Sequence, residues 1–357
     1  MKILHTADIH LKEYGDERWK SLEIILNTAK EKDIPSIIIA GDLLDRQGKI
    51  HILRNPLREL FAQFEEVTVF IIPGNHDVGA FLVGTDLGEN VRILNKSPFQ
   101  IERSEEAIII GIPYQKKEDE LIPHFFDILD MIKIDQRGPK ILAVHGTIIG
   151  GKYSFTKGFG DEEKYNPIHY KDIEKTPIDY FALGHIHQLE EPFITDSSNK
   201  IIAGYPGSPV SIAKDEIGER KVIVLDVKDG EFKFHEEKIN SFHWERENIT
   251  VSPYYESQML KKLKEVVENF KGGNARLSVT IDGYTIYPEQ ELTREIKEII
   301  HHAHKGIELS SVKFGTVSKT YGIVMGGFFE KLDERDIPVE IKEECRRIFC
   351  RALSELK

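Results

Sequence analysis

Short apolar runs recur through the first two thirds of the chain, and each breaks off at a polar residue able to hold a metal ion. "KILHTADIH" ends in Asp8 and His10, and "SIIIAGDLLD" reaches Asp42. "VTVFIIPGNHD" reaches Asn75, His76 and Asp77, "KILAVHG" reaches His145, and "DYFALGHIH" reaches His185 and His187. Brief β-branched runs of this kind predict buried strands. Between the early runs the period lengthens. From Trp19 to Lys32 one face carries Leu22, Ile25, Leu26 and Ala29, and from Leu53 to Phe64 one face carries Leu53, Leu57, Leu60, Phe61 and Phe64. Both spacings predict amphipathic helices. Strands alternating with helices imply an α/β core, in which ligands gather outside the carboxyl ends of the strands. All five polar groups fall there.

From about His235 the pattern changes. "SFHWERENITV" predicts a strand, "ESQMLKKLKEVVENF" a helix with Met259, Leu260, Leu263, Val266, Val267 and Phe270 inward, and "NARLSVTI" a second strand. "EQELTREIKEIIHHAH" and "IELSSVKF" add a helix and a strand. This β-α-β-α-β order predicts a small α+β domain over residues 236–330, after a first domain over residues 1–235. Residues 331–357 form a last segment with Pro338 near its start. There Ile341, Cys345, Ile348, Phe349, Ala352, Leu353 and Leu356 predict an amphipathic helix docked on its own domain.

Composition narrows the class. Of 357 residues, 40% are apolar and 30% charged, as in a soluble globular protein. No apolar run reaches bilayer length, and "MKILHTADIH" lacks the build of a secretory leader, so no membrane partner is expected. Cys345 and Cys350, five residues apart, make no metal motif and fit a reducing, cytoplasmic location. The net charge of −12 argues against a surface coated for nucleic acid, though not against a local basic patch.

Asp8, His10, Asp42, Asn75, His145, His185 and His187 offer hard oxygens and imidazoles with no thiolate. Such donors suit Mn²⁺, Fe or Zn²⁺ in an open catalytic site. Seven side chains exceed one tetrahedral ion and match two ions sharing a carboxylate. Singly, a His-x-His pair or a Gly-Asp after a strand is ordinary loop chemistry. Five such groups, each ending a strand, point to one site.

"DIH", "GDLLD", "GNHD", "HG" and "GHIH" together resemble the five motifs of the calcineurin-like metallophosphoesterase superfamily, over roughly residues 1–230. The resemblance implies a two-sheet β-sandwich flanked by helices. It also implies two divalent ions, Mn²⁺ in this branch: one on Asp8, His10 and His187, the other on Asn75, His145 and His185, with Asp42 bridging. His76 would be the catalytic group that protonates the leaving oxygen or steadies the phosphorane charge. Asp77 would either orient His76 or serve as a turn carboxylate.

"AGYPGSPVSI" followed by "GERKVIVLDV", with "DYFALGHIHQ", resembles the SbcD-like DNA double-strand-break repair nucleases. That likeness implies a Mn²⁺-dependent exonuclease and endonuclease acting on DNA ends, a capping domain after the catalytic one, a homodimer, and an SbcC-like coiled-coil ATPase partner. Two features depart from it. The segment after Asp77 is short and carries Gly79, Gly84 and Gly88, which disfavours the long helix usual there. Asp45 stands where some members have a histidine linked to exonuclease action. The alternative is a metallophosphoesterase for small phosphodiesters or phosphomonoesters, and an inactive DNA- or ATPase-binding scaffold is disfavoured because no ligand is missing. Lys152, Lys157 and Lys164 are candidate basic positions, and His301, His302 and His304 read as a solvated cluster.

Overall fold

The structure is a computed structural model. It describes residues 1–82, 85–103, 107–114, 138–150, 166–189, 191–228, 231–303, 306–318 and 321–355. Lys152, Lys157, Lys164, His304 and Leu356 lie outside the described residues. The chain divides into two compact units, Met1–Phe242 and His243–Lys357.

In the first unit the strands are β1 (Lys2–Thr6), β2 (Ser36–Ala40), β3 (Thr68–Ile72), β4 (Val91–Ile93), β5 (Gln100–Arg103), β6 (Ile108–Ile112) and β7 (Lys140–His145). They continue with β8 (Ile148–Ile149), β9 (Ile168–His169), β10 (Tyr180–Gly184), β11 (Phe193–Thr195), β12 (Ile201–Gly204), β13 (Arg220–Lys228) and β14 (Glu231–Ile239). Two six-stranded sheets result, in the orders β14-β13-β1-β2-β3-β4 and β11-β12-β10-β7-β6-β5. Strands β1 to β4 run parallel, as do β6, β7, β10 and β12, while β13, β14, β5 and β11 pair antiparallel.

Alternation along each strand builds the layers. Ile3, Ile38, Phe70 and Ile72 of one sheet share a core with Ile109, Ile141, Ala143, Tyr180 and Ala182 of the other. Leu4, Ile37, Ile39, Val69 and Ile71 face the opposite way, onto helices α1 (Glu17–Glu31) and α2 (Ile50–Phe61). This is the sandwich flanked by helices that the motifs imply. Helix α1 starts at Asp16, whose carboxylate caps the Trp19 N–H, and buries Leu22, Ile25, Leu26 and Ala29 as their spacing predicts. Helix α2 passes into a short 3₁₀ turn that buries Phe64. A further short helix, α3, spans Tyr170–Lys175. Between Asp77 and β4 the described residues form turns, with no long helix among them.

The division falls after Phe242, where the sequence expectation places it at 235. Strand β14 runs through that point, hydrogen-bonded to β13 along its whole length, so the boundary cannot interrupt it. The second unit has a three-stranded parallel sheet of β15 (His243–Val251), β16 (Ala275–Thr285) and β17 (Ile307–Thr316). Helices α4 (Glu256–Asn269) and α5 (Glu289–His301) bury Met259, Leu263, Leu292 and Ile296 against it. Helix α6 (Gly322–Asp333), which periodicity does not predict, packs Met325 and Phe329 with Cys350 and Leu353 of α7 (Val339–Glu355). The buried face of α7 keeps Phe349 and Leu353 of the expected set and adds Cys350, while Ile341 and Ile348 are 50% and 59% exposed. His301 and His302 are exposed.

Candidate metal centre

Strands β1, β2 and β3 are neighbours in one sheet, and β7 and β10 are neighbours in the other. Their carboxyl ends therefore deliver all five motifs to one edge of the sandwich. Beyond β1 and β2 the chains stay hydrogen-bonded, Asp8 N–H to Gly41 O at 3.0 Å and His10 N–H to Asp42 O at 2.9 Å. The backbone there is left-handed, with φ of 54° at Asp8, 51° at His10, 51° at Asp42 and 102° at His185. Four non-glycine residues in that region cost about 1–3 kcal/mol each and persist only where the surroundings dictate them. The sheets meet closely. A Cβ on Gly184 would lie 1.9 Å from Ala40 O, so only glycine fits where β10 passes β2.

The donor atoms converge. His10 Nε2 lies 3.3 Å from His187 Nε2 and 3.6 Å from Asp42 Oδ2. His187 Nε2 is 3.8 Å from Asp8 Oδ1. His145 Nε2 is 3.2 Å from Asp42 Oδ2, 3.9 Å from Asp8 Oδ1 and 3.0 Å from Asn75 Oδ1. Three sets keep their ligand atoms within 4.8 Å of one another: Asp8, His10 and His187; His10, Asp42 and His76; and Asp8, Asp42 and His145. His185 belongs to none of these sets. Its ring lies 5.2 Å from that of His145, and its backbone N–H donates to Asp8 Oδ2 and Oδ1 at 3.0 and 3.2 Å.

Electrostatics explain why such packing asks for cations. Burial raises Asp8 above the ordinary carboxylate value, with Asp42 adding to it against the pull of His145 and His187. Burial acts the same way on Asp42, but His145, His10 and His76 outweigh it and hold that carboxyl low. For His145, burial acts downward and is overcome by Asp42, Asp8 and the Ala40 carbonyl, leaving it at about 9. Burial brings His10 and His185 down to about 3. Carboxylates and imidazoles are thus held face to face, largely out of water. A divalent pair fits this donor set, because it satisfies several lone pairs at once and displaces the shared protons.

His76 and Asp77 occupy contrasting surroundings. His76 is exposed at the rim. Its Nδ1 donates to Asp45 O at 2.7 Å, and its backbone N–H donates to Asp42 Oδ1 at 2.8 Å. Asp77 is fully buried and accepts from the N–H groups of Leu43, Leu44 and Gly74 at 3.1, 2.9 and 3.1 Å. Of its two expected roles, orienting His76 or serving as a turn carboxylate, these contacts describe the second, and they clasp the Asp42 loop to the Asn75 loop. Burial, aided by Asp42 and opposed by those N–H groups, lifts Asp77 to about 7.

Sequence reasoning passes over three neighbours. Arg18 donates from Nη1 to His10 O at 2.7 Å and to Asp45 Oδ1 at 2.5 Å, tying Asp45 to the first ligand loop. Glu216, on the loop before β13, and Arg220, the first residue of β13, also reach His187.

A family model described as calcineurin-like phosphoesterase matches residues 1–189. The chain is 23% identical over 292 residues to an uncharacterized metallophosphoesterase, YhaO, of Bacillus subtilis (strain 168), covering 75% of this chain and 67% of that protein. It is 26% identical over 275 residues to the D component of the nuclease SbcCD of Escherichia coli (strain K12), covering 63% of this chain and 64% of that one. The matched stretches thus span about two thirds of each relative's length. A dimetal phosphatase structure from Danio rerio aligns at a TM-score of 0.47 with 10% identity, over 67% of this chain and 96% of that one. That likeness is too slight to add to the family match.

Proposed function

The chain belongs to the calcineurin-like phosphoesterases, and from that premise we propose that it is a Mn²⁺-dependent DNA phosphodiesterase, the nuclease component of a double-strand-break repair complex with an SbcC-like ATPase. The observation that carries the catalytic half is the convergence of donors from Asp8, His10, Asp42, Asn75, His145 and His187 beyond the ends of β1, β2 and β3 in one sheet and β7 and β10 in the other. Asp8, His10 and His187 would hold one ion, Asn75, His145 and His185 the other, and Asp42 would bridge. The choice of DNA rests on the likeness to a nuclease component and on the "AGYPGSPVSI" segment.

When bound, a divalent pair polarises phosphoryl oxygens and brings the pKa of water toward neutrality. The chain's own groups do the rest. Asp42 takes the His76 N–H on one oxygen and faces the imidazoles with the other, so it anchors the rim while serving the centre. With Nδ1 committed to the Asp45 carbonyl, a protonated His76 has Nε2–H free to donate to the leaving oxygen. Arg18 neutralises Asp45, which otherwise sets a negative charge beside the path of an anionic substrate.

The test is a Mn²⁺ assay on linear duplex and hairpin DNA beside a chromogenic small diester, with Asp42→Ala as control. Cleavage of DNA by wild type and not by the variant is expected. Turnover of the small ester with every DNA substrate intact would end the nuclease reading and leave the small-ester one.

A further inference from the structure

Past the residues matched by the family, the chain returns to the metal centre once more. Glu216 is 7% exposed and divides its carboxylate between two partners. Oε1 lies 2.9 Å from His187 Nδ1, and Oε2 accepts the Ile212 N–H at 2.8 Å. A carboxylate only accepts hydrogen bonds, so His187 Nδ1 carries the hydrogen. The opposite atom, Nε2, is the one that stands 3.3 Å from His10 Nε2 and 3.8 Å from Asp8 Oδ1.

The turn that carries Glu216 is itself tied to the ligand it serves. Ser211 Oγ donates to Glu216 O at 2.6 Å. Arg220, 5% exposed, donates from Nη2 to His187 O at 2.8 Å and from Nε to Ser208 O at 3.0 Å, and its Nη2 lies 4.0 Å from Glu216 Oε2. The Ser208 N–H meets the same His187 carbonyl at 2.9 Å. Gly207, at φ +75°, lets that approach happen, since a Cβ there would lie 2.7 Å from His187 O. The His187 side chain is 33% exposed, so packing alone does not hold its ring.

We propose that Glu216 is the positioning residue of His187, fixing its ring plane and its Nδ1–H tautomer so that Nε2 is offered to one ion, with Arg220 clamping Glu216 and the His187 backbone into one unit. The inference rests on the reading of His187 as a metal ligand. Its physical basis is general: an imidazole that donates its second N–H to a carboxylate is oriented and made a better donor. The contrast within the site sharpens it. His145 turns its Nδ1 to the neutral Ala40 carbonyl at 2.9 Å. The two imidazoles are therefore supported unequally, and removing the Glu216 charge should affect one ion and spare the other.

Calorimetric titration of Mn²⁺ into the full chain and into Glu216→Gln tests this. Glutamine has one accepting oxygen and cannot serve both Ile212 N–H and His187 Nδ1–H. Wild type should bind two ions, and the variant should weaken one event by about 10- to 100-fold while the other is unchanged. A second measurement needs no variant. In Zn²⁺-loaded wild type, nitrogen–proton correlation should show an exchange-protected His187 Nδ1–H, so the proposal stays open to refutation if Glu216→Gln does not fold. Two ions bound identically by wild type and Glu216→Gln would overturn Glu216's role and leave the two-ion reading standing. A bare Nδ1 on His187 would overturn it as well. No binding of either ion by wild type would overturn both.

Discussion

His76 and Asp77 are adjacent in the chain and opposite in character, one exposed at the rim and one sealed beneath it. His76→Ala removes the ring and keeps the backbone N–H that Asp42 accepts. It should therefore bind two ions as wild type does and lose about 10²- to 10⁴-fold in turnover, the range for a displaced general acid. Asp77→Ala leaves three buried N–H groups unpaired, at about 1–3 kcal/mol each. That variant should melt well below wild type and bind metal weakly, because the loops of Asp42 and Asn75 lose their clasp. Melting curves with metal titration separate the two roles. If Asp77 acted only through His76, both variants would keep their metal and lose turnover alike.

At the scale of elements, β1 and β10 face each other across the sandwich, and His5 pins them. Its Nε2 donates to Leu183 O at 3.2 Å, and its Nδ1 accepts from the Tyr180 hydroxyl at 3.1 Å. Burial pushes His5 down to about 3 from an ordinary 6.5, so the folded protein refuses a proton that the unfolded chain takes. Stability is unaffected above pH 7 and is lost as pH falls from 6.5 toward 3. Between pH 7.5 and 5, wild type should lose about 2 kcal/mol more than His5→Gln. Urea unfolding at both pH values measures this, and equal losses would place the proton elsewhere. The same strands show what the sequence reveals. The placing of Asp8, Asp42, Asn75, His145 and His185 at or just past strand ends is legible because each follows a buried apolar run. Helix α6 is not, since "GIVMGGFFEKL" is apolar nearly all round and shows no face. The seam of α7 runs through Cys350 and Leu353, which no count of apolar residues separates from Ile341 and Ile348. Glu216 is hidden for another reason: it lies 29 residues from His187 on a loop, and only the folded chain brings them together.

Over the whole molecule, all the candidate ligands belong to the first compact unit, and no helix among the described residues is long and apolar enough to cross a membrane. Within that unit the left-handed backbone at Asp8, His10, Asp42 and His185 coincides with the buried carboxylates. At Asp8 both the backbone conformation and the buried charge are unfavourable, whereas at Asp42 the imidazoles favour the charge and only the backbone is costly. The sequence best for holding this sandwich together is thus not the sequence best for its chemistry. Asp8→Asn makes the point: in chelator it should melt at or above the wild-type temperature, while its affinity for metal falls, and a clear drop in melting temperature would contradict this. A screen for heat resistance run without metal would discard these residues first and return a sturdier, inert protein.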